Sequence, residues 1–187
     1  MRYPASETAA KHERILEAAA RLFRERGFGG AGVAEIMKAA GLTHGAFYAH
    51  FPSKEALAAA AVEAASDQTE RRLVAATADV ADPVQAFLDV YLSTAHRDRP
   101  GDGCALAALG PEIARDPATR APLTAHVRRA IAALADRIGG AKAERAQQQA
   151  TVVLAASVGA LILSRAVDDE ALSDEILTTV RETLFKH

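Results

Sequence analysis

Apolar residues recur at helical spacing along almost the whole chain, and the interruptions fall at glycine, proline and small polar residues. Ile15, Ala18, Ala19, Leu22 and Phe23 predict a helix over 7–26 that Gly27 closes, followed by the connector "GFGGAG". Val33, Ile36, Met37 and Ala40 share one face of a short helix stopped by Gly41. Thr43 can cap another short helix reaching His50, with Phe47 and Phe51 turned inward. Pro52 forbids continuation, and Ser53 caps a longer helix to about residue 78. These pieces predict a helix-turn-helix unit over 1–52.

The remainder, 53–187, reads as a helical body. Pro83 opens a helix carrying Val84, Phe87, Leu88, Tyr91 and Leu92, and "HRDRPGDG" (96–103) reads as a loop. A helix over 104–115 should be kinked or split at Gly110-Pro111. Others are expected over 117–138, 141–166 and 171–185, which makes an all-α protein of about nine helices.

Composition agrees: half of the 187 residues are apolar, alanine dominates and tryptophan is absent. No apolar run approaches the ~20 residues that span a bilayer, and the first residues lack a signal peptide's apolar core, so a cytoplasmic location without membrane contact is expected. A single cysteine, Cys104, excludes an intrachain disulfide and a thiolate zinc cluster; neither metal nor cofactor is expected. The net charge of −2 argues weakly against nucleic acid. Residues 1–60 nevertheless hold 8 Lys/Arg against 6 Asp/Glu, with His12, His44 and His50 among them. A weakly basic head thus joins an acidic body.

With Phe47 and Phe51 inward, Thr43, His44, Gly45, Ala46, Tyr48, Ala49 and His50 are left to face outward or sideways. Small residues let a backbone approach base edges in a major groove, while Tyr48, His50 and Lys54 can donate to phosphate oxygens on either side. The free N–H groups that begin the helix after Pro52 offer another phosphate site. Lys38 and Arg2-Tyr3 are further candidates. The same shape also serves ordinary helical packing, so periodicity alone leaves both uses open.

"GVAEIMKAAGLTHGAFYAHFPSKEAL" (32–57), with its G-x-x-x-x-x-F-x-S-K-E-x-L frame from Gly45, resembles the DNA-binding segment of the tetracycline-repressor (TetR) family of bacterial transcription regulators. "RILEAAARLFRERGFGGAGV" (14–33) is similar to that family's first helix and exit loop. The resemblance implies a homodimer that sets two recognition helices in successive major grooves of a palindromic operator, ~35 Å apart. It implies base proximity for Thr43, His44, Gly45 and Ala46, and phosphate contact for Tyr48, His50 and Lys54. His44 departs from the family's frequent lysine or arginine, which implies a weaker or pH-sensitive grip. The segment lacks Arg, Asn and Gln, so direct base readout is thin and DNA shape gains weight.

For the body, the resemblance implies dimerisation through the last two helices (about 141–185) and a pocket for a small-molecule inducer, released repression being the expected output. Candidate pocket residues are Phe87, Tyr91, Cys104, Leu106, Leu109, Ile113, His126 and Val127, an aromatic and aliphatic set with few polar groups. An aromatic stripe at this spacing also suits plain core. Cys104 opens a helix, where the dipole favours thiolate and a response to electrophiles or oxidants, although Asp102 opposes it; a small buried apolar role is the other reading. Two rival classes remain: an adaptor that binds protein and no DNA, and a cysteine-dependent enzyme, for which no histidine is near Cys104 in sequence and no phosphate loop exists. The expected class is a regulator, not an enzyme.

Overall fold

The computed structural model describes residues 5–78, 80–139 and 143–185. Among these, nine α-helices and two 3₁₀ turns carry the chain: α1 Ala5–Gly30, α2 Val33–Ala39, α3 Lys54–Ala76, α4 Pro83–Tyr91, α5 Thr94–Asp98, α6 Ala105–Ile113, α7 Pro117–Ile138, α8 Ala143–Ala166 and α9 Glu170–Phe185. The 3₁₀ turns are His44–Ala49 and Pro100–Asp102. Arg2-Tyr3 and the predicted helix start at Ala141 lie outside the described residues.

Local chemistry explains most boundaries. Gly27 adopts φ 74, ψ 172, a region open essentially to glycine, so regular helix ends there; residues 28–30 add a further turn where a free connector was expected. Gly41, at φ 68, closes α2 with Leu42 N–H donating to Met37 O at 2.8 Å and its own N–H to Lys38 O at 3.0 Å. Ser53 Oγ accepts from Ala56 N–H at 3.1 Å to start α3. Asp82 and Asp116 do the same for α4 and α7, each with proline as the next residue.

Three expectations need correction. The expected loop over 96–103 holds the end of α5 and a 3₁₀ turn: Ser93 caps α5 at His96 N–H, and Arg165 of α8 holds the His96 and Arg97 carbonyls from a distance. Thr43 occupies the N-cap position of a 3₁₀ turn, not an α-helix, and its hydroxyl makes no cap bond. The helix expected over 104–115 spans Ala105–Ile113, and of the two outcomes expected at Gly110-Pro111 the split does not occur, Pro111 lying inside α6.

Two apolar clusters organise the molecule. The first gathers Ile15, Phe23, Ile36, Met37, Phe47 and Phe51 of the head with Leu57, Ala61 and Val62 of α3 and Leu109 and Ile113 of α6. The second gathers Phe87, Leu88, Tyr91, Leu92, Leu134, Leu154, Leu161 and Leu177. α3 runs from the first cluster to the second, with Leu73 at its far end. By length and composition α8 could cross a membrane, at a mean hydropathy of 1.5 over its most apolar window. Its Ala150, Val153, Leu154 and Leu161 lie in the second cluster instead.

Candidate nucleic-acid interface and body cavity

Phe47 and Phe51 are the internal anchors of the segment 40–57, at 1 % and 5 % exposure, with ring centroids 6.1 Å apart. A 3₁₀ turn brings residues three apart into line, so burying Phe47 fixes which neighbours face out. Tyr48 is 70 % exposed and edges onto the Phe47 ring at 5.1 Å, which props its hydroxyl outward. Thr43, His44 and Gly45 are exposed beside it, while Ala46 is half-buried against the first cluster. Gly45 has open space where a Cβ would stand. The thin, outward face expected at Thr43, His44, Gly45 and Tyr48 is therefore present.

His50 and Lys54 are half-buried flanks. His50 faces α1, with its ring 5.9 Å from that of His12, which in turn stacks on Phe51 at 4.6 Å. Burial first, then His12 and Lys11, lowers the His50 pKa, so the free head disfavours the imidazolium here. The N–H groups that begin α3 are partly spent: Ser53 Oγ accepts from Ala56, and Glu55 bonds its own backbone N–H, the main cause of its lowered pKa.

In the body, Phe87, Tyr91, Cys104, Leu106 and His126 line one cavity of about 550 Å³ including its mouth. Leu109 and Ile113 belong instead to the first cluster, between α6 and the head, and Val127 packs on the second cluster without lining the cavity. Sequence reasoning missed the wall that α3 and α7 contribute: Thr69, Leu73, Thr77, Ala130 and Arg137. On α7 the sequence points only to His126 and Val127, and on α3 to none of these residues.

The polar groups of the cavity differ in how far they are satisfied. Thr69 and Thr77 hydroxyls bond back to Ala65 O at 3.0 Å and Leu73 O at 2.7 Å. Arg137 donates to Ala133 O at 2.9 Å and Thr77 Oγ1 at 3.3 Å. The Tyr91 hydroxyl, which lies beside the Cys104 thiol, and His126 Nδ1 are buried, and neither bonds a nitrogen or oxygen. Burial pushes the Tyr91 pKa well up and the His126 pKa down, so both stay neutral.

Cys104 is 1 % exposed at the N-cap of α6. A histidine does stand beside it, brought there by the fold: Cys104 N–H donates to His96 Nε2 at 3.0 Å. The other ring nitrogen, Nδ1, donates to Tyr91 O at 2.8 Å, which fixes a neutral tautomer. Burial lowers the His96 pKa, with Arg165 and Arg72 adding to it against the Tyr91 carbonyl. Its one lone pair is thus occupied by a backbone N–H and is not free to take the thiol proton.

The head and cavity meet through the segment 99–104. Arg24 of α1 donates to Gly101 O at 2.8 Å, and Thr69 of α3 to Gly103 O at 3.4 Å. One step along α6, Glu112 Oε2 accepts Phe28 N–H at 2.7 Å.

Residues 15–61 match the family model for bacterial regulatory proteins of the tetR family, and residues 80–179 that for the C-terminal domain of LmrA/YxaF-like transcriptional regulators. An uncharacterized HTH-type transcriptional regulator of Mycobacterium tuberculosis is 33% identical over 123 residues, 65% of this chain and 61% of its own length. The HTH-type transcriptional regulator LmrA of Bacillus subtilis is 40% identical over 80 residues, 41% of this chain and 43% of its own. The chain thus aligns with less than two thirds of these relatives. A TetR transcriptional regulator from Chloroflexus aurantiacus superposes with TM-score 0.80 at 25% identity, covering 97% of this chain and 98% of that one. Reduced NemR of E. coli shares the fold, with TM-score 0.77 at 24% identity over 94% of this chain and 95% of its own.

Proposed function

The chain belongs to the TetR family of bacterial regulators, and we propose that it binds a palindromic operator as a homodimer, represses transcription there, and is released by a small-molecule inducer in the body cavity. The observation that supports this most is the outward set of Thr43, His44, Gly45 and Tyr48 on a turn whose Phe47 and Phe51 are locked inside. Ala46 and Gly45 let the backbone near base edges, and Tyr48, His50 and Lys54 reach the flanking phosphates.

The second copy is taken to cover α8 and α9. Val152 and Leu163 are 60 % and 55 % exposed on α8, and Leu172 is 42 % exposed on α9. Gly159, between the first two, has open space above its backbone. Apolar side chains of this size in line with a bare glycine suit close helix-helix contact across a two-fold axis.

Release follows from a shift of population: a ligand favours the body state in which the two head separations no longer match successive grooves. The segment 99–104, bonded to α1 and α3 on one side and bordering the cavity on the other, is the coupling element in this reading. Family members regulate transcription and are not enzymes, and the occupied lone pair of His96 fits that role. Footprinting of the purified chain on fragmented genomic DNA, followed by gel shift at graded salt, tests the reading. Failure to bind any duplex at low ionic strength would reject it.

A further inference from the structure

We propose that the body cavity takes an uncharged, compact aromatic molecule bearing a hydroxyl or carbonyl, anchored by the Tyr91 hydroxyl and His126 Nδ1. This rests on the regulatory reading only for its biological meaning; the binding itself is a separate property.

Native interiors seldom leave a buried polar atom unpaired, and those that do so commonly await a partner from outside. Here two such atoms line one cavity: the Tyr91 hydroxyl on α4, in a residue 2 % exposed, and His126 Nδ1 on α7, in a residue 4 % exposed. Of the other polar lining groups, Thr69, Thr77 and Arg137 have hydrogen-bond partners, Glu70 is engaged by Arg129 at 3.0 Å, and the Cys104 thiol, a weak donor and acceptor, lies beside the Tyr91 hydroxyl. The rest of the wall is aliphatic or aromatic, including Leu73, Phe87, Leu106 and Leu154. Phe87 lies against Tyr91 with centroids 5.2 Å apart, giving a flat surface for a ring. Of the volume of about 550 Å³ with its mouth, only about 50 Å³ is open to the centre of a water-sized sphere, so a ligand is limited to one ring with a short substituent, and its entry must displace lining side chains.

Charge on the ligand is selected against. A carboxylate or ammonium would lose its hydration against a mostly apolar wall, whose two charged members are already engaged, Glu70 by Arg129 and Arg137 by Ala133 O and Thr77 Oγ1. A hydroxyl can donate to one orphan atom and accept from the other, because a neutral imidazole nitrogen and a phenol each serve in either sense.

The test titrates the full chain, without DNA, with para-propylphenol, propylbenzene and para-propylbenzoate. The phenol should bind about tenfold tighter than the hydrocarbon, and the benzoate weakest. Tyr91→Phe should weaken the phenol about tenfold, leave propylbenzene unchanged, and leave the melting temperature of the free chain equal or higher, since it removes only an unpaired hydroxyl. His126→Leu should behave likewise toward the ligands, and His126→Asn should restore phenol binding. Equal affinities for phenol and hydrocarbon, a benzoate that binds tightest, phenol binding indifferent to both substitutions, or no phenol binding at millimolar concentration would each overturn the proposal. A chain that binds phenol and ignores every duplex rejects the regulatory reading alone; one that binds duplex and no phenol rejects this one alone.

Discussion

Arg24 of α1 holds the carbonyl oxygen of Gly101 in the body, with Nε at 2.8 Å and a terminal nitrogen at 2.5 Å. The guanidinium is buried, one of its nitrogens has no partner, and burial together with Arg72 lowers its pKa to about 10. A buried cation held only by Gly101 O and, at 3.3 Å, by Gln68 Oε1 is costly to keep, so its value lies in where it fixes the head. Arg24→Ala should destabilise the chain by about 2–4 kcal/mol in urea titration, because it empties packed volume and strands the Gly101 carbonyl. Arg24→Met keeps the stem and should cost less, by about 1–2 kcal/mol, while an inducer-driven drop in operator affinity becomes smaller.

Gly27 tests the neighbouring junction. Its φ of 74 is hostile to any side chain, and a Cβ there would strike the Glu112 carboxylate that holds Phe28 N–H. Gly27→Ala should lose about 2–4 kcal/mol of unfolding free energy, strain and the broken hydrogen bond adding.

At the candidate interface, Lys54→Ala should weaken DNA binding about equally on all sequences and reduce the slope of log affinity against log salt by about 1. Tyr48→Phe keeps the ring on Phe47 and removes only the hydroxyl, so affinity should fall by about tenfold or less while thermal stability stays put. No duplex binding by the unsubstituted chain, with function in cells unchanged in both variants, would favour a protein-binding adaptor.

DNA affinity should rise as pH falls from about 8 toward about 6. The free head holds the His50 pKa below its ordinary 6.5 through burial, His12 and Lys11, whereas a nearby phosphate favours the imidazolium. Binding therefore takes up a proton. His50→Gln should flatten the profile, read by fluorescence anisotropy at constant ionic strength.

Folding stability runs the other way. His96 and His126 both have pKa values lowered, by burial first. The unfolded chain thus binds more protons than the folded one below the ordinary value of 6.5. Stability is full above that pH and should decline as pH drops through 6.5 toward the lowered folded values. Denaturant midpoints between pH 7.5 and 5 measure it, and His126→Asn should reduce the decline.

Local signals in the sequence carried the head almost completely. Gly27, Gly41 and Ser53 act within one turn of themselves, and Phe47 and Phe51 form a neighbouring pair, so spacing alone located them. The body was legible as helices but not as surfaces. Leu109 and Ile113 sit on the same apolar helix as Leu106, and nothing local says that α6 lies between two cores, one of which claims each side. The 96–103 segment read as loop because its order comes from distant partners, including Arg165 Nη2 on His96 O at 2.6 Å. Cys104 and His96 meet through the backbone of one residue, a contact that sequence separation hides.

The 3₁₀ character of residues His44–Ala49 limits what a single head can read. At 2.0 Å of rise per residue, six residues extend roughly 12 Å, against 3.4 Å for each base step. In the proposed operator complex one protomer would therefore face about three or four base pairs, a word far too short to be rare in a genome. Discrimination must then reside in the spacing between two such words, so a lengthened or shortened gap in the operator should hurt more than a changed letter.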